Sequence, residues 1–166
     1  MKAELRKARR WLHAAEHICV VSHTSPDGDA VGSMLGLTWA LRAAGKRVSP
    51  GLPDDVPATF AFLPGSAEVT QEAPADADLL VALDTADIER LGSLGRQLDR
   101  PIDINIDHHV SNSRFGSINL VASDTAATAE HLVELLQPFS LALDEQVANC
   151  LLTGLVTDSL GFRTDS

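Results

Sequence analysis

The sequence predicts an α/β fold, a mostly parallel sheet with helices on both faces. Short apolar runs such as ICVV and LLVAL alternate along the chain with longer helical patterns, which is typical of βαβ units. The length of 166 residues suits one domain with a core of its own. Apolar residues make up 45% and charged residues 22%, a composition too apolar for a disordered chain.

The first half of the chain supplies four of these elements. Residues 1–17 predict an amphipathic helix with Leu5, Ala8, Leu12 and Ala15 on one face, and they resemble neither a signal peptide nor a transit sequence. The next elements are a strand at 17–22, a helix at 29–45 that ends at Gly45, a strand over KRVSPGL, and a proline-rich loop with one helical turn.

The second half continues the alternation. It predicts a strand at 77–84, a helix over IERLGSLGRQL, a strand at 102–107, and a peripheral strand over FGSINLV. Two helices follow. The first spans SDTAATAEHLVELLQ with Ser123, Asp124 or Thr125 as its cap, and the second spans 144–159 with Asp144 as its N-cap.

Charge and cysteine content restrict the ligand and the compartment. The net charge of −10 and the pI near 4.8 argue against capture of nucleic acid by a basic surface. An anionic ligand would therefore need positive charge other than Lys and Arg. Cys19 and Cys150 lie in apolar surroundings, which predicts two buried free thiols in a reducing cytoplasm. No stretch is long and apolar enough to span a membrane.

Acidic and imidazole side chains follow three predicted strands. In an open parallel sheet the carboxyl ends of the strands line the ligand crevice, so we expect these side chains to converge. Each has an ordinary alternative: DGD alone is a turn, HH alone is surface or packing, Asp84 could cap a helix, and Asp158 could be a solvated helix end. An EF-hand is excluded because Thr38 stands where the loop needs glutamate. The side chains in question are His23, Asp27, Asp29, Asp84, Asp107, His108, His109 and, at the end of the last helix, Asp158.

These groups predict a dinuclear metal site. Four carboxylates sharing one crevice would repel one another without countercharge. Two divalent cations would balance Asp27, Asp29, Asp84 and Asp158. Oxygen donors with some imidazole suit Mn²⁺, with iron, Co²⁺ or Mg²⁺ as alternatives, and the lack of nearby cysteine argues against structural zinc. The cations would then attract an anionic substrate.

The same residues carry a family resemblance. HTSPDGDAVGS, ALDTAD, NIDHHVSN and GLVTDSLGFR resemble, in order and spacing, the four motifs of the DHH phosphoesterases, and the similarity covers nearly the whole chain. Within that family VPATFAFLPG is similar to the linker of the nano-RNase and pAp-phosphatase branch, the bacterial oligoribonucleases. RecJ-type exonucleases and cyclic-dinucleotide phosphodiesterases share the motifs, and type II inorganic pyrophosphatases are a weaker match.

The resemblance implies a Rossmann-like DHH domain and a role for each motif residue. It implies one cation on His23, Asp27 and Asp84 and a second on Asp29, Asp84, His108 and Asp158, with Asp84 as the bridge. His109 and Asp84 would be catalytic. His109 would contact the substrate phosphate or the leaving oxygen, with Arg163 as a second substrate contact, and Asp107 would orient an imidazole. Gly28 would let the loop turn between two ligands, and Gly32 and Gly36 would let the helix pack closely on the sheet.

The expected function is hydrolysis of phosphate esters in nucleotides such as pAp or in short oligonucleotides, by a cytoplasmic enzyme that depends on manganese. A metal or nucleotide sensor without turnover is the alternative from another class, and a homodimer stays open.

Two departures from the family pattern stand out. Ser159 replaces a threonine common in the family, and the second, smaller domain with its substrate-gripping glycine-rich loop is absent. We therefore expect residues 1–166 to be the catalytic metal-binding domain of a longer two-domain protein, weakly active when isolated, and a natural stand-alone domain is the alternative.

Overall fold

The computed structural model describes residues 2–163 and contains a five-stranded sheet in the order β2-β1-β3-β4-β5. Every neighbouring pair of strands is parallel. The predicted α/β class is confirmed, and FGSINLV does form a strand at the edge of the sheet. The strands are β1 (His17–Val21), β2 (Arg47–Gly51), β3 (Leu79–Leu83), β4 (Ile104–Asp107) and β5 (Ile118–Val121).

Helices cover both faces of the sheet unequally. The long helices share one core with alternate residues of the strands, such as Ile18 and Val81, and α5 packs against α2 and α4. The opposite face is covered by a 3-10 helix (Ile88–Leu91), by α3 and by adjoining loops. The α-helices are α1 (Lys2–Ala14), α2 (Gly28–Ala43), α3 (Gly92–Gly95), α4 (Thr128–Phe139) and α5 (Glu145–Asp158). None of the helices described is both long and apolar enough to cross a lipid bilayer.

A row of glycines brings α2 and α5 into backbone contact. A Cβ atom on Gly32 would lie 2.5 Å from the Cys150 carbonyl oxygen, and one on Gly36 would lie 2.6 Å from the Leu151 side chain. Gly28 is already the first residue of α2 and lies against Thr157. The predicted roles of these glycines were wrong, because Gly28 makes no loop turn and the helix packs closely on another helix instead of the sheet.

The cap of α4 also differs from the prediction. Ala127 occupies the N-cap position and has no side-chain hydrogen bond to offer. The Asp29 carboxylate accepts the N–H groups of Thr128 at 2.6 Å and Ala129 at 2.9 Å. Ser123, Asp124 and Thr125 are therefore not the cap, because a buried carboxylate from α2 satisfies the orphan donors of this helix.

The helix predicted over IERLGSLGRQL is two short pieces. The 3-10 helix ends at Leu91, its C-cap Gly92 has a φ of +55°, and α3 covers only the four residues from Gly92 to Gly95. Asp144 caps α5 as predicted, accepting the Val147 N–H at 2.9 Å. Cys19 and Cys150 are free and buried as predicted, and burial raises the pKa of each thiol to about 12.

Candidate metal centre

The candidate site lies where the order of the strands reverses. β1 and β3 are adjacent in the sheet, but the chain leaves β1 toward β2 on one side and β3 toward β4 on the other. In doubly wound sheets this point opens a crevice at the carboxyl ends of the strands. His23 follows β1 and Asp84 follows β3, and each side chain is 2% exposed.

Asp84 occupies the middle of the site in a strained conformation. Its φ is +51°, a left-handed value that costs a non-glycine residue about 1 kcal/mol or more. The backbone N–H of Asp84 donates to the Ile106 carbonyl at 3.0 Å, and its Oδ1 accepts from the Thr128 hydroxyl at 3.0 Å. The neighbouring strand and α4 therefore hold the carboxylate toward the crevice.

The first group of donors surrounds one oxygen of Asp84. His23 Nδ1 lies 2.8 Å from the Thr24 carbonyl oxygen, which directs Nε2 to Asp84 Oδ2 at 3.4 Å. Asp27 caps α2 through Oδ1, and its Oδ2 lies 3.9 Å from His23 Nε2. Backbone acceptors and a helix cap thus orient these side chains and leave three donor atoms facing one another.

The second group lies on the other side of Asp84. His108 Nδ1 lies 3.3 Å from the Thr125 carbonyl oxygen, and its Nε2 is 3.5 Å from Asp158 Oδ2 and 3.8 Å from Asp84 Oδ1. Asp29 joins His108 and Asp158 with one donor atom each, all within 4.8 Å of one another. The close contact of α2 with α5 is what brings Asp29 and Asp158 to the same place.

His109 is held by a carboxylate that lies beneath it. Its Nδ1 donates to Asp107 Oδ1 at 2.8 Å, and Asp107 is fully buried. Asp107 Oδ2 accepts from the Asn112 amide at 2.6 Å, and Asn112 also contacts Asn105 at 2.8 Å. The structure thus shows the Asp107–imidazole contact that the sequence predicted. His109 Nε2, on a side chain that is 33% exposed, has no hydrogen bond to any residue in the range 2–163.

The electrostatics indicate that the carboxylates need countercharge. Burial, and then the charge of Asp84, raises the pKa of Asp29 well above its usual range. Burial also raises the pKa of Asp158, and Asp84 and Asp27 add to the rise. Burial alone would raise the pKa of Asp84, but the hydrogen bond and charge of His23, together with the charges of His109 and His108, outweigh burial and lower the pKa. Three ionised carboxylates around one centre therefore oppose one another.

The donor set fits divalent cations of intermediate hardness. The donor atoms fall into three groups that each lie within 4.8 Å, and they combine carboxylate oxygen with imidazole nitrogen. Both histidines that face Asp84 with Nε2 have Nδ1 at a backbone carbonyl, the usual arrangement of a metal-binding imidazole. The groups are His23, Asp27 and Asp84; Asp29, His108 and Asp158; and Asp84, His108 and His109.

The structure does not bring Arg163 into this set. Arg163 is exposed, its N–H donates to the Ser159 carbonyl at 2.8 Å, and its side chain makes no contact with the donors described. Two residues beside the site were not predicted from the sequence. Arg90 has a guanidinium nitrogen 3.1 Å from His23 Nδ1, and Thr128 contacts Asp84. A basic residue shortly after a site aspartate was a weak signal for Arg90, and nothing in the sequence pointed to Thr128.

Comparison with known families gives one match. Residues 17–155 match the family model described as "DHH family, N-terminal domain". Among curated proteins, the bifunctional oligoribonuclease and PAP phosphatase NrnA of Thermus thermophilus is 38% identical over 96% of this chain and 49% of its own length. The Bacillus subtilis protein of the same name is 28% identical over 96% of this chain and 50% of its own. The chain therefore spans about half the length of the curated relatives it matches.

Two solved structures agree with the fold. An exopolyphosphatase-related protein from Bacteroides fragilis superposes with a TM-score of 0.87 at 28% identity, over 98% of this chain and 52% of that protein. The exonuclease RecJ, solved bound to manganese, superposes with a TM-score of 0.54 at 19% identity, over 92% of this chain and 42% of its own. The second likeness concerns the fold alone.

Proposed function

The chain belongs to the DHH family, and from that premise we propose that it hydrolyses phosphate esters in nucleotides such as PAP or in short oligoribonucleotides. The observation that carries the proposal is the convergence of six donor side chains around Asp84 at the switch point of the sheet. The substrate class comes from the names of the Thermus and Bacillus relatives. We place the activity in the cytoplasm, where nucleotide substrates occur and both thiols stay reduced.

Two divalent cations, with Mn²⁺ as the first choice, are proposed as cofactors. One would be held by His23, Asp27 and Asp84, and the other by Asp29, Asp84, His108 and Asp158. When bound, such a pair activates water at neutral pH and neutralises charge on a phosphoryl group. This also explains how a chain of net charge −10 would bind an anionic substrate.

His109 is proposed as the residue that contacts the reacting group. Its Nδ1 is committed to Asp107, so Nε2 remains for the substrate. The hydrogen bond to Asp107, and then the charges of Asp107 and Asp84, raise the pKa of His109 against the effect of burial. A protonated imidazole can donate to a phosphoryl oxygen or to the leaving oxygen. Asp107 and Asn112 act through His109 by fixing the orientation of its ring.

Residues 1–166 are proposed to supply the chemistry and little of the recognition of base and sugar. A substrate held mainly through its phosphate lacks the positioning that contributes much of an enzyme's rate. We therefore expect slow hydrolysis of small generic phosphodiesters and poor hydrolysis of oligonucleotides. Arg163 is proposed as an accessory substrate contact, because it is exposed and follows Asp158 by five positions.

The test is a panel of hydrolysis assays with the Mn²⁺-loaded chain. Its substrates are PAP, a short oligoribonucleotide, a cyclic dinucleotide, single-stranded DNA and bis-p-nitrophenyl phosphate. Asp84→Asn is the control that keeps the fold and removes the central carboxylate charge. Hydrolysis of PAP or RNA that Asp84→Asn abolishes supports the proposal, and preference for the cyclic dinucleotide or DNA would reassign the substrate. Mn²⁺ binding with no hydrolysis of any substrate would favour a sensor.

A further inference from the structure

The cationic side chain of Arg90 stands beside the candidate metal centre and pairs with no carboxylate among residues 2–163. We propose that Arg90 is a phosphate-binding residue of this site and that it donates to the substrate's phosphoryl group from the His23 side. The inference rests on the proposed function, because it assigns a residue to the substrate of the same site. Arg90 would supply a fixed positive charge that the metal-ligand motifs do not provide.

The backbone holds Arg90 next to the site. Its carbonyl oxygen accepts the Thr24 N–H at 2.8 Å, so the 3-10 helix that carries Arg90 is tied to the loop that carries His23. The guanidinium nitrogen then lies 3.1 Å from His23 Nδ1. Arg90 is therefore held within hydrogen-bonding distance of a candidate metal ligand.

When His23 binds a metal ion, its ring cannot also accept a hydrogen bond from the Arg90 guanidinium. Arginine has only donors, and His23 Nδ1 also lies 2.8 Å from the Thr24 carbonyl oxygen. One nitrogen cannot accept from Arg90 and donate to Thr24 at the same time. If Nε2 of a neutral imidazole is a metal ligand, Nδ1 carries the proton and donates to Thr24. The Arg90 nitrogen beside His23 then has no hydrogen-bond acceptor among residues 2–163.

Other arginines of the protein form ion pairs with carboxylates, as arginines with a structural role do. Arg42 pairs with Glu68 at 2.9 Å, Arg47 pairs with Asp76 at 2.6 Å, and Arg100 pairs with Asp103. Arg90 pairs with no carboxylate between residues 2 and 163, although it stands beside an aspartate-rich centre.

An exposed guanidinium with free donors suits a phosphate. Its planar fork can give two parallel hydrogen bonds to phosphoryl oxygens, and charge-assisted bonds of this kind are the strong ones. From its position it would contact a phosphoryl group lying over His23 and His109. Its N–H groups would stabilise the anionic oxygens in both the bound substrate and the product.

The experiment measures anion binding and metal binding separately on the full chain. Isothermal titration calorimetry gives the Kd for Mn²⁺, and then the Kd of inorganic phosphate and of AMP for the Mn²⁺-loaded protein. The variants are Arg90→Gln and Arg90→Lys. The matched control is Arg96→Gln, which removes another exposed arginine from the end of α3. We expect Arg90→Gln to bind Mn²⁺ within twofold of the parent and to bind phosphate and AMP about tenfold more weakly. Arg90→Lys should recover part of that loss, and Arg96→Gln should match the parent.

Each result decides one claim. Unchanged phosphate and AMP affinity in Arg90→Gln would overturn the role of Arg90 and leave the proposed function standing. A large loss of Mn²⁺ affinity would also overturn it, because Arg90 would then act on His23. If the parent hydrolyses nothing but Arg90→Gln still loses phosphate affinity, the proposed function fails and the anion site remains. In active protein, the substitution should raise KM more than it lowers kcat.

Discussion

Gly32 of α2 lies directly against Gly154 of α5, where a Cβ atom on Gly32 would come within 2.8 Å of the Gly154 backbone nitrogen. Asp29 lies one turn before Gly32, and Asp158 lies one turn after Gly154. The absence of two side chains therefore sets how close these two candidate ligands can come. The packing of α2 on α5 at this contact therefore affects the geometry of the candidate metal ligands.

Substitutions along this row of glycines should differ in severity. In Gly32→Ala the new Cβ meets the Cys150 carbonyl, which belongs to a helix backbone, whereas in Gly36→Ala it meets the end of the Leu151 side chain. We expect Gly36→Ala to cost up to about 1–3 kcal/mol of unfolding free energy and Gly32→Ala to cost more. Urea unfolding measures both. Equal costs would mean that α5 shifts to make room for the new methyl group, and the Mn²⁺ affinity of Gly32→Ala should then fall because Asp158 moves with α5.

Removing the charge of Asp84 should affect both groups of donors. Asp84→Asn keeps a side chain that tolerates the φ of +51°, so the fold should survive. It loses the carboxylate that faces His23 at 3.4 Å and His108 at 3.8 Å. We expect Mn²⁺ binding to be lost at both positions and activity with it. Calorimetric titration gives the stoichiometry. Retention of one tightly bound ion would contradict the bridging role of Asp84.

Loss of His109 should separate rate from metal binding. Its Nδ1 is occupied by Asp107, so we expect His109→Ala to keep both cations. The rate should fall by about 10²–10³, in line with the removal of one preorganised donor to a developing charge. Asp107→Asn should lower the rate less and shift its pH profile, because the imidazole loses the carboxylate that raises its pKa. Loss of Mn²⁺ from His109→Ala would show that the ring is a ligand.

Neutralising Asp158 should stabilise the metal-free protein. Burial and neighbouring carboxylates raise the pKa of Asp158. A carboxyl group whose pKa is higher in the folded state weakens folding as the pH rises from the unfolded value through the folded one. At pH 7.5 we therefore expect Asp158→Asn to raise the Tm of the metal-free protein by about 2 °C. Excess Mn²⁺ should stabilise the variant less than the parent. A lower Tm of metal-free Asp158→Asn than of the metal-free parent would contradict repulsion between Asp158 and the neighbouring carboxylates.

His131 predicts a separate dependence of stability on pH. It is 5% exposed, and neither ring nitrogen has a hydrogen-bond partner among the described residues. Burial lowers its pKa from 6.5, so below that value the unfolded chain takes up a proton that the folded chain resists. The free energy of unfolding should fall as the pH drops from 7.5 to 5.5, by at most about 1.4 kcal/mol per pH unit from this group.

Urea unfolding of His131→Phe tests this prediction, because the variant should lose part of the pH dependence of the free energy of unfolding. Glu134→Gln is the control, since Glu134 lies 3.9 Å from the ring and supplies the nearest countercharge. The control should keep the dependence or steepen it. An identical pH dependence in His131→Phe and the parent would exclude His131 as the source.

The sequence correctly predicted the sheet and the meeting of site residues where its patterns were regular. Alternation of apolar runs predicted a parallel sheet, and polar residues after three strands predicted that His23, Asp84 and His108 would meet. These inferences worked because the ends of parallel strands must share an edge.

The errors concern contacts between segments that are distant in the sequence. Capping rules consider only residues close in the sequence and so favoured Ser123, Asp124 or Thr125, but the cap of α4 comes from Asp29, 100 positions before Ala129. The glycines of α2 predicted a close neighbour without indicating that it was α5. Arg90 was missed because its relevance depends on the Thr24 contact, which no local pattern encodes.

The Gly32–Gly154 contact also determines when the centre can assemble during synthesis. The first candidate ligand set is complete once β3 has left the ribosome, because its last member is Asp84. The second needs Asp158, the final residue of α5, and needs α5 seated on α2. With the two cation sets proposed above, a nascent chain would hold only the first set until α5 has been translated and docked. Assembly of the second set would then be a late event in biogenesis.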